Sequence, residues 1–285
     1  MTTIIEAKDL SKRYGGFVAL DHVGFRVQPG RIVGLIGRNG AGKTTLLKAI
    51  LGLTSCEGSV RVLELEPARD RNALMSQVCF IADTAVLPRW LCVRHAIDYV
   101  AGVHPRFDRA RAEQVLATTS IRRDSRIGEL SKGMITQLHL ALILAIDARL
   151  LVLDEPTLGL DLIYRRQFYD TLLNDYFNQQ RTILLTTHQV EEVENLLTDV
   201  MFIDRGRIVL DAAVEDLGAR FQQLDVAANS IEAARALKPF HVRELFGRTI
   251  MLFENRSALD LAGLGELRTP GIADLFAARM QAVAS

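Results

Sequence analysis

Leu35 to Thr45 read LIGRNGAGKTT, a glycine-rich turn that ends in a lysine and two threonines. Gly37, Gly40 and Gly42 open backbone conformations closed to other residues. The amides of Arg38, Asn39 and Ala41 between them can therefore wrap a phosphate. Lys43 sets a point charge against the outer phosphates, and the Thr44 hydroxyl is of the type that ligates Mg²⁺. The flanks agree with this. Arg31 to Ile36 (RIVGLI) reads as a buried strand, and Thr45 to Leu51 (TLLKAIL) as a helix whose N-terminus faces the anion.

Downstream, Leu150 to Glu155 (LLVLDE) is an apolar strand ending in two carboxylates. Asp154 sits where a phosphate-loop enzyme holds Mg²⁺, which leaves Glu155 to orient and polarise a water, since phosphoryl transfer depends on positioning and charge stabilisation. Leu130 to Met134 (LSKGM) precedes the helical run ITQLHLALILA; a serine cap and a glycine at a helix start form an anion site of their own. Thr186-Thr187-His188 closes a further strand.

With 285 residues, 49% of them hydrophobic, the chain has ample length for a core in one large domain or two modest ones. Its 34 basic and 34 acidic side chains cancel, so there is no general pull toward nucleic acid or anionic lipid. Cys56, Cys79 and Cys92 lack CxxC spacing and read as reduced thiols of a cytosolic protein. MTTIIEAKDL leads straight into strand-like sequence, unlike a signal peptide. No segment nears the ~18 consecutive apolar residues of a spanning helix, so any role at a membrane is peripheral.

Short β-like runs fill residues 4–36, with turns at Gly15-Gly16 and Pro29-Gly30. Another strand is expected near Ser59–Leu63. From Pro88 to Ser131 the texture is helical: Val93, Ala96, Ile97 and Val100 share one face, and Asp108 caps a helix carrying Ala112, Val115 and Leu116. Strands and helices then alternate through Leu150–Leu153, Tyr164–Tyr176, Thr182–Thr186, Val190–Leu197 and Val200–Ile203, which indicates a mostly parallel sheet covered by helices. Beyond Leu217, short strands (QQLDVAA, RTIMLFE) mix with helices (SIEAARAL, GIADLFAARM) in a small α+β appendage without a chemical motif.

Together these residues resemble the ATP-binding cassette family, whose signature reads LSGGQ or close to it; Lys132 and Met134 depart from that pattern. The resemblance spans about residues 4–217. It implies an α/β phosphate-loop NTPase core with a mostly parallel sheet, an N-terminal antiparallel β subdomain and a helical subdomain at about 84–135. The ATPase domain is then 1–217 and the α+β accessory domain 218–285. Leu158-Gly159-Leu160-Asp161 matches the family's D-loop, with Leu162 where proline is common. His188 matches the switch histidine that contacts the γ-phosphate, and Tyr14 fits the aromatic that stacks on adenine. The family's glutamine, which meets Mg²⁺ or the attacking water, falls near Phe80–Asp83; Asp83 stands there as a shorter but harder ligand, with Gln77 as the weaker substitute and a plain loop residue as the alternative.

The resemblance further implies ATP and Mg²⁺ as ligands and Glu155, His188, Lys43 and Asp83 as catalytic groups. Thr44, Asp154 and Asp83 would ligate the metal, and the loop Gly37 to Thr45 would hold nucleotide. In the family two cassettes meet head to tail, so Ser131 and Gly133 would complete the site of a second protomer, here a homodimer. A transmembrane permease would dock near residues 83–104 and hold the protein at the cytoplasmic face of the inner or plasma membrane. LSKGM, Asp83 and TPGIADLFAARM look like the exporter branch with separate membrane subunits. The alternative is a non-transport cassette ATPase acting on ribosomes or nucleic acid; zero net charge weighs against a nucleic-acid partner.

Overall fold

Apolar alternation in the first residues makes a hairpin. In the structure, a computed structural model that describes residues 3–82, 87–158, 160–178 and 180–282, β1 (Ile5–Tyr14) and β2 (Phe17–Val27) pair antiparallel around Gly15-Gly16. β3 (Ile32–Ile36) leads into the glycine-rich loop and α1 (Lys43–Ile50), and β4 (Glu57–Val62) returns to β1 to finish a three-stranded sheet. After α2 (Arg71–Met75) and β5 (Val78–Ile81) come three helices, α3 (Val93–Val103), α4 (Arg109–Ala117) and α5 (Lys132–Leu144). Asp108 caps α4 as its sequence suggests, its Oδ1 accepting from the Arg111 amide at 3.0 Å.

The chain then alternates through β6 (Leu150–Asp154), α6 (Leu162–Thr171), β7 (Thr182–Thr187), β8 (Asp199–Asp204) and β9 (Arg207–Ala213). The six-stranded sheet runs β5-β6-β7-β3-β8-β9, with every pair parallel except β8–β9. β3, β6 and β7 are buried at every position, as strands covered on both faces must be. Alternate residues feed opposite cores. Leu151, Leu153, Ile183 and Leu185 meet Ile143, Phe168 and Leu172 on one face, while Val33, Leu35, Val152 and Leu184 meet Leu46, Leu47 and Ile50 on the other. Each such buried Leu or Ile contributes about 1.5–3 kcal/mol. Val93, Ala96, Ile97, Leu116 and Leu138 form a separate core among the helices.

Two helical expectations change. α6 continues as a π-helical turn over Leu172–Tyr176, and the helix expected over Val190–Leu197 shrinks to a 3₁₀ turn at Val190–Glu192 followed by further turns. The Val190 carbonyl there accepts from both Val193 and Glu194, an overwound geometry that still buries Val190, Val193 and Leu197.

After α7 (Val214–Arg220), β10 (Phe221–Val226), α8 (Ile231–Ala236), β11 (His241–Leu245), β12 (Arg248–Glu254) and β13 (Gly265–Arg268) build an antiparallel sheet in the order β11-β12-β10-β13. This sheet has its own small core around Leu224, Met251, Phe253 and Leu261. The last helix, α9 (Ile272–Ala282), returns to the main core, where Ile272 and Leu275 are buried and Phe276 packs edge-on against Phe202.

Candidate functional site

Parallel pairing brings the C-terminal ends of β3, β6 and β7 to one edge of the sheet. Ile36 lies beside Thr187 and Asp154 beside Thr186, so the glycine-rich loop, the carboxylate pair and His188 arrive together. A cleft of about 460 Å³ opens there, lined by Phe17, Ala19, Arg38, Asn39, Gly40, Gly42, Lys43, Thr44, Thr45, Glu155, Leu158 and His188. Gly42 caps α1 at φ 111°, and a Cβ there would come within 2.5 Å of the Ala19 carbonyl; only glycine lets the loop close on this strand.

Lys43 is 6% exposed, and its Nζ donates to the Gly37 carbonyl at 2.7 Å. The same Nζ lies 3.1 Å from Glu155 Oε1 in an ion pair, yet Oε1 is buried and receives no well-aligned hydrogen bond. Asp154, 1% exposed, accepts from the Thr44 hydroxyl at 2.8 Å and the Thr186 hydroxyl at 2.7 Å, and pairs with no cation among the described residues. Its backbone neighbour Glu155 turns out of the strand at φ 48°, and its amide donates to the Thr186 hydroxyl at 3.0 Å. One threonine hydroxyl thus ties the Asp154 carboxylate to the Glu155 main chain. His188 Nδ1 donates to Glu155 Oε2 at 2.9 Å, which leaves Nε2 to meet a ligand.

Most residues singled out in the sequence therefore converge. Gly37 contributes its carbonyl, Ala41 is buried beneath the loop, and Asp154 reaches the cleft through Thr44. Tyr14 is not among the lining residues; half exposed, it carries Lys12 Nζ at 5.1 Å from its ring centre. The aromatic that lines the cleft is Phe17, the register partner of Tyr14 across the hairpin turn. The sequence shows an aromatic on each side of the Gly15-Gly16 turn and does not single out Phe17. Asp83 lies outside the described residues.

Ser131 and Gly133 do not line this cleft. Ser131 caps α5, its Oγ accepting from the Met134 amide at 3.2 Å. Gly133 is buried against Tyr164, and a Cβ would fall 2.1 Å from that ring, so α5 and α6 touch backbone to ring. Asp161 caps α6 with bonds of 3.1 Å from the amides of Ile163 and Tyr164. Among the described residues no His, Cys, Asp and Glu cluster forms a separate metal centre. All three cysteines are free, and burial pushes the Cys79 thiol up to about 12, which keeps it protonated at neutral pH.

A sequence profile of the family described as "ABC transporter" matches residues 20–158. The chain is 32% identical to a Nod factor export ATP-binding protein I of Cupriavidus metallidurans, across 93% of this chain and 90% of that protein. It is also 32% identical to a probable multidrug ABC transporter ATP-binding protein of Escherichia coli, covering 76% of this chain and 38% of the other. Among solved structures, an ATP-binding subunit of an ABC transporter superposes with a TM-score of 0.66 at 28% identity, over 76% of this chain and 92% of that one.

Proposed function

Because the chain belongs to the ABC transporter family as an ATP-binding subunit, we propose that it hydrolyses ATP between the glycine-rich loop and Glu155 to drive export through a separate transmembrane partner. The observation that carries this is Glu155 Oε1, a buried carboxylate oxygen beside the phosphate loop that is ion-paired with Lys43 at 3.1 Å and accepts no aligned hydrogen bond. Such an oxygen is placed to take a hydrogen bond from water, and the nucleotide draws Lys43 away from it. The loop amides and Lys43 bind the phosphates, while His188, oriented by Glu155, presents Nε2 to the terminal one. Thr44 and Asp154 fit Mg²⁺: both are hard oxygen donors, already 2.8 Å apart, and the buried carboxylate pairs with no cation among the described residues. When bound, Mg²⁺ neutralises charge on the outer phosphates.

A second copy of the chain completes the site. In support, Ser131 and Gly133 stand away from the chain's own cleft, while Leu158 is half exposed after Glu155 and Leu162 and Ile163, in the first turn of α6, are 76% and 77% exposed. Mg·ATP is expected to shift the Glu155→Gln variant from monomer to dimer in size-exclusion chromatography at tens of micromolar, since the nucleotide persists. Ser131→Arg should abolish that shift by placing bulk and charge where the opposite phosphate belongs. A trap variant that remains monomeric refutes the two-copy site.

We place the permease-facing surface on the start of the helical segment. Trp90 is 74% exposed, and Tyr99 and Val103 stand one turn apart on the outer side of α3. Leu87 and Leu91 instead pack into the helical core, so a charge at Leu87 would act on stability. Trp90→Ala is expected to keep the ATPase rate of the isolated subunit within about twofold and to lose co-purification with the membrane partner, as removal of an exposed aromatic anchor should. Wild-type recovery from detergent-solubilised membranes would remove Trp90 from the interface. No described helix is long and apolar enough to cross a membrane, consistent with a peripheral position. We assign residues 1–217 to the ATPase unit, with the helical part at about 84–135, and 218–285 to an accessory unit.

A further inference from the structure

Two loops flank Glu155. One holds Leu160 and Asp161 and leads into the first turn of α6; the other carries His188 into the turn Val190–Glu192. They belong to different crossovers, and the side chain of Arg165 joins them. Its Nε donates to the Leu160 carbonyl at 2.6 Å, and its Nη1 donates to Gln189 Oε1 at 2.9 Å and to Glu192 Oε1. The Arg165 amide is itself tied to the Asp161 carbonyl at 3.0 Å. On the other side Gln189, the immediate neighbour of His188, has its amide on the Thr187 hydroxyl at 2.9 Å.

The way these donors are shared bears on their role. An arginine placed for strength alone sets two nitrogens on both oxygens of one carboxylate. Here Glu192 Oε2 is buried without a partner, while the guanidinium divides its bonds between a main-chain carbonyl of one loop and two side chains of the other. A planar, rigid group bonded in this way moves one loop with the other.

We propose that Arg165 is a positioning residue that makes the His188–Glu155 contact answer to the backbone at Leu160 and Asp161. This rests on the reading that the exposed Leu158, Leu162 and Ile163 meet a second copy of the chain. Pressure from that copy moves Leu160; Arg165 carries the shift to Gln189 and so to the imidazole that orients Glu155. The water-activating carboxylate then depends on Arg165 for its working geometry.

The test uses the full chain. Arg165→Ala is expected to lower kcat about tenfold with KM for ATP within about threefold, the pattern of a group displaced in the transition state and not of lost binding. Arg165→Lys, which keeps the charge but cannot fork, should fall between. In the nucleotide-free monomer the His188 ring resonances, assigned with a His188→Gln variant, should shift in Arg165→Ala. Leu162→Asp, which removes the apolar contact, should also slow turnover, and adding Arg165→Ala to it should slow turnover no further, since both act on one relay. Wild-type kcat in Arg165→Ala, an unmoved His188 resonance, or additive losses in the double variant would each overturn the proposal. Should Arg165→Ala fail to fold, Gln189→Ala deletes one acceptor of the relay and must still lower kcat at constant KM. A Glu155→Gln chain that stays monomeric with Mg·ATP removes the two-copy reading and this inference with it. A chain that dimerises while Arg165→Ala keeps full activity removes this inference alone.

Discussion

Glu155→Gln is expected to slow phosphate release by a factor of about 10² or more, in the range of a lost general base, while ATP still binds. The substitution keeps the shape of the side chain, the bond between the Glu155 amide and the Thr186 hydroxyl, and an oxygen near the cleft. It removes the negative charge from Oε1, a buried oxygen that has no well-aligned partner. The contacts that the glycine-rich loop and Lys43 offer to phosphate do not change, and the glutamine still has an oxygen to accept from His188 Nδ1. Lys43 is also released from its ion pair with Oε1, so nucleotide affinity should hold or improve. Steady-state phosphate release beside equilibrium binding of a fluorescent ATP analogue measures both quantities. Wild-type turnover in this variant would dismiss Glu155 as the water-activating group.

Lys43→Ala is expected to weaken ATP binding by roughly 10- to 100-fold, the equivalent of one lost charge-assisted hydrogen bond of about 1.5–3 kcal/mol. A second effect has a different origin. Lys43 is the cation beside a largely buried Glu155 carboxylate, and deleting it strands that charge. The nucleotide-free variant should therefore melt at lower temperature than the wild type. Adding Glu155→Gln should restore the melting temperature without restoring affinity, because neutralising the stranded carboxylate repairs stability and leaves the phosphate contact missing. Isothermal titration with ATP and thermal denaturation of the three variants separate the two effects. Unaltered affinity in Lys43→Ala would place the phosphates elsewhere.

Much of the site was legible because its chemistry lies in short contiguous runs. LIGRNGAGKTT and LLVLDE each carry both the strand that delivers them and the groups that act, so spacing along the chain sets spacing in space. Phe17 was not legible, since two aromatics flank the Gly15-Gly16 turn and only the course of the hairpin decides which one borders the cleft. Val190–Leu197 has helical spacing of its apolar residues, but successive tight turns bury the same positions, and apolar periodicity cannot separate the two. β11 and β13 escaped for another reason: they are the two edges of their sheet, mostly exposed and rich in charge (HVREL, GELR), so no apolar alternation marks them. Arg165 carries no motif and becomes visible only once the two loops are seen side by side.

The return of α9 to the main core alters how the C-terminal region should be regarded. β10 to β13 and their small core look like a separable appendage, but the chain does not end in them. It comes back, and Ile272, Leu275 and Phe276 pack with Val190, Val193, Leu197 and Phe202, beneath the turn that follows His188. Arg279 on this helix and Arg220 at the end of α7 hold the same Glu254 carboxylate, so the strands between are buttoned shut at both ends. The sheet β10 to β13 is in effect a loop thrown out from the main core, whose last helix underlies the turn that follows His188. Cutting the chain after Leu217 strips Ile272, Leu275 and Phe276 from that core along with the sheet above it.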